Sequence, residues 1–229
     1  MLTVSESWKT AYPGAAAGIL VMHHVSNPDR HPALEQAKAD LEHELRTRFS
    51  TEADLKTLPP IQAYTAYFKR FKKTYPVLLQ LESIAFQGRS IPRVAALVEA
   101  MFIAELKNVL LTAGHDLETL HLPVRLDVAR GDERYVRLNG EEQILKPGDM
   151  MMADGGGIIS SVIYGPDRRT RLTPDTRHVL FAVYAPPGIG EPAVAQHLRD
   201  IQFNIMLISP EAEVELLEVY TAPAFRQQG

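Results

Sequence analysis

The chain has 229 residues, 45% of them hydrophobic and 23% charged, with a formal net charge of −4. This composition is typical of a globular protein of one large or two small domains, and the net charge excludes a general polyanion binder. The lack of cysteine excludes disulfide partners, a cysteine nucleophile and thiolate metal sites. No apolar stretch approaches the length of a membrane span, so we expect a cytoplasmic protein without membrane contact.

The first half of the chain shows mainly helical patterns. An apolar run with β-branched residues predicts a buried strand over residues 15–25, and apolar residues at helical spacing follow it. The predicted helices cover residues 31–49, 61–75, 77–86 (a helix or packed segment) and 93–111. Residues 112–116 are expected to stop the last of these helices.

From Pro123 onward the pattern is that of strands and tight turns. Asn139-Gly140 is a strong hairpin signal because both positions tolerate a positive φ. The predicted strands are 124–128, 134–138, 142–145, 150–154, 158–164, 178–184 and 213–220, with a loop at 165–169 and a helix at 192–201. Helices followed by hairpins favour an α+β fold of mostly antiparallel sheets packed with helices, and we expect the last residues to fray.

Asp154 follows a predicted buried strand and precedes three glycines, Gly155-Gly156-Gly157. Glycines allow a ligand to approach main-chain N–H groups, so the segment could be an amine-binding carboxylate beside a backbone nest. The alternative, which the sequence favours, is a hairpin turn with a hydrogen bond from the backbone to the Asp side chain.

Two basic segments could contact a phosphate. Arg168, Arg169 and Arg171 lie in the loop after residue 165, and arginine presents a rigid fork to phosphate or carboxylate. The second segment ends a predicted helix and contains Lys69, Arg70, Lys72 and Lys73. Solvated loops and helix ends carry such charges as well, and for the helix end the sequence favours that alternative.

The eight histidines do not have a metal-binding spacing. His23 and His24 are adjacent, so a strand would place them on opposite faces, where they cannot easily share one ion. The carboxylate of Asp116 could orient the imidazole of His115, although a helix C-terminal cap is the favoured alternative. Motifs for zinc proteases, serine hydrolases and nucleotide binding are missing from the sequence, and we expect neither a metal nor a cofactor.

Several segments in the second half follow one another as they do in the B3/B4 domain of the bacterial phenylalanyl-tRNA synthetase beta subunit. They are Gly114-His115-Asp116-Leu117-Glu118-Thr119-Leu120, Leu138-Asn139-Gly140-Glu141, the run from Gly148 to Asp154, and the run from Thr173 to Phe181. Upstream, Phe68-Lys69-Arg70-Phe71 and Ile91-Pro92-Arg93 through Leu97-Val98 resemble free-standing relatives of that domain. The resemblance spans residues 68–186.

The resemblance implies a single domain over residues 1–229. Within it, residues 1–66 form an N-terminal α/β portion, residues 67–187 the core of the resemblance, and residues 188–229 a C-terminal helix and strand. In the synthetase, this domain binds mischarged tRNA and hydrolyses tyrosine from its 3′ end. The resemblance therefore implies an aminoacyl-tRNA editing module, or an RNA-binding module, without the synthetase body.

The resemblance also implies a substrate-binding site. Asn139 and Gly140 match a hairpin that borders the family's pocket, and Thr176 matches a pocket threonine. Asp154, followed by Gly155 and Gly156, matches a strand-end Asp. Asp167 lies where the family has the acid of a Gly-Gly-Glu run, here Gly165-Pro166-Asp167 with a shorter side chain. The family's Asp and Asn on the helix near Glu99 are absent.

Three hypotheses follow from these observations. The first is a trans-acting deacylase that positions a water molecule against the ester, with backbone N–H groups stabilising the oxyanion and the tRNA's terminal hydroxyl assisting. Its catalytic residues are not identified, and its RNA contacts would be Lys69, Arg70, Lys72, Lys73, Arg168 and Arg169. The second is a non-catalytic module that binds an amino acid or a related small metabolite, and the third is an RNA-binding protein that does not hydrolyse its ligand.

Overall fold

Residues 1–224 are described in a computed structural model, in which they form seven α-helices, one short 3-10 helix (Leu117–Thr119) and eleven strands. The helices are α1 (Glu6–Ala11), α2 (Pro32–Arg48), α3 (Glu52–Lys56), α4 (Pro59–Arg70), α5 (Pro76–Gln87), α6 (Ala96–Asn108) and α7 (Glu191–Met206). The strands are β1 (Leu2–Val4), β2 (Ala16–His23), β3 (Thr112–Asp116), β4 (Val124–Val128), β5 (Arg134–Val136), β6 (Glu142–Ile144), β7 (Met150–Asp154), β8 (Gly157–Ser161), β9 (Gly165–Pro166), β10 (His178–Ala185) and β11 (Glu213–Thr221). The fraying expected at the C-terminus falls on residues 225–229, outside the described residues.

The strands form two sheets and one separate hairpin. The four-stranded sheet has the order β11-β2-β10-β3 and is antiparallel throughout. The five-stranded sheet has the order β1-β4-β7-β8-β9, in which only the β1–β4 pair is parallel, and β5 pairs with β6. The predicted α+β fold with mostly antiparallel sheets is confirmed.

The four-stranded sheet is covered on both faces, which explains the uninterrupted apolar run of β2. Nearly every residue of β2 and β10 is buried. Helix α7 packs directly on this sheet at Gly18, where a Cβ atom would lie 2.6 Å from Cγ1 of Val194. A strand buried on both sides has no polar face, so its sequence does not alternate.

The helices of the first half pack on one another. Helices α2, α5 and α6 are in mutual contact, and α4 contributes aromatic residues to the same core. The rings of Tyr64 and Tyr75 stack with centroids 4.4 Å apart. Both tyrosines are buried, so these two aromatic rings lie inside the molecule.

Three predicted helices differ from the structure at their C-terminal ends by more than two residues. The helix predicted over residues 61–75 ends at Arg70, because Lys72 adopts a positive φ of 56°. The helix predicted over residues 93–111 ends at Asn108, because Val109 adopts φ 60°. Helix α7 continues to Met206, beyond the predicted residue 201.

The strand β3 was not predicted. Residues 112–116 were expected to stop a helix, but they pair along their whole length with β10 and are buried throughout. The interpretation of His115-Asp116 as a helix C-terminal cap is therefore wrong. The strand predicted over residues 158–164 ends at Ser161, and Gly165–Pro166, expected in a loop, pairs with it as β9. The prediction also missed the short elements β1, α1 and α3.

Candidate functional site

A cavity of about 480 Å³ lies beside the free edges of both sheets. Strand β3 is the edge of the four-stranded sheet, β9 is the edge of the five-stranded sheet, and both contribute to its wall. Helices α5 and α6 close another side. The lining is mainly apolar and includes Phe68, Val77, Val98, Met101, Phe102 and Leu111. A cavity of this size with an apolar lining and few polar groups is typical of a small-molecule site.

Strand β3 presents backbone groups to this cavity. The N–H of Thr112 donates to Oε1 of Glu105 at 2.6 Å, and the N–H of Asp116 donates to the carbonyl oxygen of Thr170 at 2.8 Å. Both groups therefore point away from β10. Because residues of an antiparallel ladder alternate in direction, the N–H and C=O of Gly114 also point away from β10. Gly114 lines the cavity, so a ligand there can reach main-chain groups.

Glu105 is the carboxyl side chain among the residues that line the cavity. It lies on α6 and is 4% exposed, and burial raises the pKa of its carboxyl to about 8. Glu105 was not among the site residues predicted from the sequence. The signal that could have identified it is the apolar character of α6 around most of its circumference, which leaves little solvent-exposed surface for an acid.

Asp154, predicted to bind an amine, is hydrogen-bonded within the protein. Its Oδ1 accepts from Nη2 of Arg169 at 2.6 Å and from the N–H of Gly156 at 2.8 Å, and its Oδ2 accepts from the N–H of His121 at 2.7 Å. Burial opposes ionisation, but these donors hold the pKa of the carboxyl below its ordinary value. The contact with Gly156 is the turn hydrogen bond of the alternative interpretation. Asp154, Gly155 and Gly156 lie outside the cavity lining.

Asp167 lies one residue beyond the cavity wall. Gly165 and Pro166 line the cavity, whereas the buried Asp167 carboxylate accepts hydrogen bonds from the hydroxyl and the N–H of Thr170. Burial raises the pKa of this carboxyl. The hydroxyl of Thr170 is also 2.7 Å from Nδ1 of His115. Asp167 therefore fixes the loop that carries the cavity-lining residues before it and Arg171 after it.

An imidazole oriented by Asp116 would require a side-chain contact between His115 and Asp116, and the structure does not show one. Each side chain contacts a threonine instead. The imidazole of His115 is fully buried against Thr170, and burial lowers its pKa to about 3. The carboxylate of Asp116 instead accepts a hydrogen bond from the hydroxyl of Thr176 at 2.6 Å. Thr176 is buried and also accepts from the N–H of Thr173 at 2.9 Å, so it joins its loop to β3 and does not line the cavity.

The hairpin of β5 and β6 borders the cavity, but Asn139 and Gly140, which the resemblance assigned to the pocket, do not line it. Leu138 lines the cavity, and Asn139 closes the turn by accepting from the N–H of Glu141 at 3.1 Å. Gly140 adopts φ 87°, and a Cβ atom there would lie 3.2 Å from Nη1 of Arg168. The turn therefore places an exposed arginine close to the cavity.

The predicted cations separate into two groups. Nζ of Lys73 lies 5.1 Å from the ring centroid of Tyr164, a cavity-lining residue, and Arg168 is exposed beside the hairpin. Arg171 lines the cavity itself. We call Lys73, Arg168 and Arg171 the basic rim.

The other predicted cations lie elsewhere or are engaged in protein contacts. The guanidinium of Arg70 packs over Tyr12 at 5.2 Å, and that of Arg169 pairs with Asp154. Lys69 and Lys72 are exposed but do not line the cavity. The six cations predicted to contact RNA therefore do not form one surface at the cavity.

The histidines His23 and His24 lie closer together than a regular strand would allow. Strand β2 ends at His23, and His24 adopts φ 58°. Both rings lie beside His178, at centroid distances of 4.8 and 5.6 Å. Across residues 1–224, no cluster of three or more histidine, aspartate or glutamate side chains is arranged to hold a metal ion. No helix in that range is both long and apolar enough to span a bilayer.

A family comparison identifies the chain. The sequence model of the B3/4 domain matches residues 61–205, which is more than half of the chain. The chain belongs to the B3/4 domain family. The predicted resemblance over residues 68–186 is confirmed and lies within this range. The comparison with curated proteins found no match.

This B3/4 domain also resembles a solved structure. An N-terminal fragment of the phenylalanyl-tRNA synthetase beta subunit from Pyrococcus horikoshii superposes with a TM-score of 0.50 at 13% sequence identity. The match covers 96% of this chain and 53% of the fragment, so the chain spans about half of that structure. At this identity the likeness shows a shared fold, one that occurs in a subunit of a tRNA synthetase.

Proposed function

We propose that this B3/4 domain binds the aminoacylated 3′ end of a tRNA and hydrolyses the ester bond in trans. The observation that carries the proposal is the cavity, which combines an apolar interior with the backbone edge of Gly114 and the basic rim. The apolar interior suits an amino acid side chain. The cations of the rim suit the phosphates of the nucleic acid to which the amino acid is attached.

The proposed hydrolysis needs no covalent intermediate with the protein. The ester carbonyl would accept a hydrogen bond from the N–H of Gly114, which would stabilise the negative charge that develops as water attacks. The acyl carbon–oxygen bond to the ribose then breaks, and the terminal ribose hydroxyl leaves with a proton. A bound substrate holds the water and the ester in one geometry, which lowers the entropic cost of the reaction.

The direct test is a deacylation assay with a panel of mischarged aminoacyl-tRNAs. We expect the wild-type protein to release the amino acid from at least one member faster than buffer does. Arg168→Glu should reduce that rate about tenfold at low salt, because a charge reversal replaces attraction to phosphate by repulsion. Arg199→Glu is the matched control, since Arg199 is an exposed arginine of α7 that does not line the cavity. Equal rates for the two variants, or no deacylation across the panel, would contradict the proposal.

Salt dependence separates this proposal from a module that binds only a small metabolite. If the three cations of the basic rim each contact a phosphate of the single-stranded tRNA end, the logarithm of the binding constant should fall linearly with the logarithm of the salt concentration. The expected slope is about −2. A ligand inside the cavity should respond little to salt. Binding of tRNA that shows the steep slope without deacylation would instead support an RNA-binding protein.

A further inference from the structure

The cavity contains one carboxyl side chain whose role is not explained by the packing of the protein. Glu105 lies on the wall of an otherwise mainly apolar cavity, and among residues 1–224 only the N–H of Thr112 donates a hydrogen bond to its carboxyl group. No lysine or arginine among residues 1–224 forms an ion pair with it, in contrast to the other buried glutamate of α6, Glu99, which pairs with Lys38 at 2.5 Å. A buried acid without a cationic partner is costly to ionise.

We propose that Glu105 holds the ammonium group of the ligand that enters this cavity. The inference rests on the proposed function, because an aminoacyl ester keeps a free α-amino group. The cationic nitrogen of the ligand would form the ion pair that no lysine or arginine of residues 1–224 forms with Glu105. The bond from Thr112 already fixes the orientation of the carboxyl, so little reorganisation is needed when the ligand arrives.

The other acids near the cavity are poorer candidates. Asp154 is paired with Arg169, and Asp167 accepts its hydrogen bonds from its own loop. Asp149 accepts from the hydroxyl of Tyr67 at 2.5 Å and does not line the cavity. The amine-binding role that was considered for Asp154, at the end of β7, is therefore assigned to Glu105 of α6.

The groups that face Glu105 leave its charge uncompensated. Tyr64 from α4 and Tyr75 from the segment before α5 are buried and neutral, since burial raises their pKa values. His197 of α7 bonds the hydroxyl of Thr112 at 2.6 Å, and burial lowers its pKa to about 4, so it is neutral as well. Arg171 lines the same cavity but is exposed. A bound ammonium would thus be the partner of the carboxylate.

This arrangement predicts that binding of an amine is linked to loss of a proton. The pKa of the Glu105 carboxyl is raised to about 8, so this group is mostly protonated at pH 6 and must release its proton to pair with an ammonium. The affinity for a permanently protonated amine should therefore rise about tenfold between pH 6 and pH 7, and less steeply above that. A ligand without an amine should show no such rise.

The experiment uses amino alcohols as probes, because they carry the amine and cannot be hydrolysed. L-leucinol, L-methioninol and L-phenylalaninol are titrated into the full chain by calorimetry at pH 6, 7 and 8, in buffers of different ionisation enthalpy. Each is compared with the same alcohol without its amine, such as 4-methylpentan-1-ol for L-leucinol. We expect at least one amino alcohol to bind with the pH dependence above and with proton release.

Two variants assign the effect to a residue. Glu105→Gln keeps an acceptor for Thr112 but cannot ionise, so amine affinity at pH 8 should fall about 10- to 100-fold and lose its pH dependence. Affinity for the alcohol without an amine should stay unchanged, which also shows that the cavity is intact. Asp154→Asn tests the competing carboxylate and should leave the pH dependence in place.

The inference is overturned if none of the three amino alcohols binds, if proton release is absent, or if Glu105→Gln binds them as the wild type does. Its failure is distinguishable from that of the proposed function. Deacylation of tRNA that is equal in wild type and Glu105→Gln would leave the proposed function standing and remove the inference. Glu105-dependent binding of amino alcohols without deacylation of any tRNA would do the reverse.

Discussion

Asp154 and Glu105 are both acids with little solvent exposure, yet their surroundings differ completely. Asp154 has a guanidinium and two backbone N–H groups around it, and its pKa is lowered. Glu105 has one backbone N–H donor and the uncharged neighbours Tyr64, Tyr75 and His197, and its pKa is raised to about 8. Hydrogen bonds and a nearby cation favour the charged form of a carboxyl, whereas desolvation opposes it. Asp154 is therefore ionised within its loop contacts, and Glu105 keeps the capacity to pair with the ammonium group proposed above.

For the pair of Arg169 and Asp154, we predict that Arg169→Ala reduces the free energy of unfolding by about 1–3 kcal/mol. The guanidinium contacts Asp154 and also donates to the carbonyl oxygen of Thr119 at 2.8 Å, so the variant leaves a carboxylate with a fully buried side chain partly unpaired. Urea unfolding measures the change. Arg168→Ala is the control and should change stability by less than about 0.5 kcal/mol, because that side chain is exposed. Equal stability of the two variants would show that the Arg169 pair has no structural role.

The position of an element can depend on a single small residue. Strand β2 and helix α7 are in direct contact, and at Gly18 a Cβ atom would lie 2.6 Å from Val194 and 2.9 Å from Leu198. Both neighbours are branched side chains in a fully buried interface. The close approach of helix and strand therefore requires glycine, for steric reasons and not for a positive φ.

Gly18→Ala should accordingly destabilise the protein by about 1–3 kcal/mol, since overpacking forces the helix or its side chains to shift. Thermal unfolding provides the measurement. Gly190→Ala, at the start of the same helix, meets only Cδ of Pro192 at 3.5 Å in a conformation that alanine also adopts, so it should change stability by less than about 1 kcal/mol. If the Gly18 variant were as stable as the Gly190 variant, the contact between α7 and β2 would be looser than described.

Across the whole molecule, buried ionisable groups make stability depend on pH. His115 and His197 have pKa values lowered to about 3 and about 4, so they resist protonation and cost stability when the pH falls below their ordinary value of 6.5. Burial raises the pKa of Asp149 only to about 6. Compared with His115, His197 and Asp149, Glu105 is the buried group whose charge changes most between pH 6.5 and 8.

In this window the folded protein retains a proton on Glu105 that the unfolded chain, with an ordinary pKa of 4.5, has already lost. Raising the pH therefore favours unfolding, and the free energy of unfolding should decrease from pH 6.5 to pH 8 by at most about 1.4 kcal/mol per pH unit. Urea unfolding at several pH values measures the slope. Glu105→Gln should flatten it, and a wild-type stability that rises over the same window would contradict the assignment.

The α+β class, most strands of the second half and the family can be predicted from the amino-acid sequence alone. Hydrophobic period, turn chemistry such as Asn139-Gly140, and the order of local motifs are properties of neighbouring residues, so a sequence displays them directly. Strand β3 was missed because its pairing with β10 joins segments more than 60 residues apart. That distant contact, and not local propensity, makes residues 112–116 a strand.

Which of the candidate residues meet at one cavity depends on tertiary contacts, and the structure shows them. It brought Lys73, Arg168 and the residues beside Asn139 and Asp167 to the cavity rim, and placed Asp154 and Thr176 in contacts that support loops. It also identified Glu105, whose importance comes from what surrounds it and not from its place in the sequence. The physical reason is that desolvation and charge pairing are set by neighbours from distant parts of the chain.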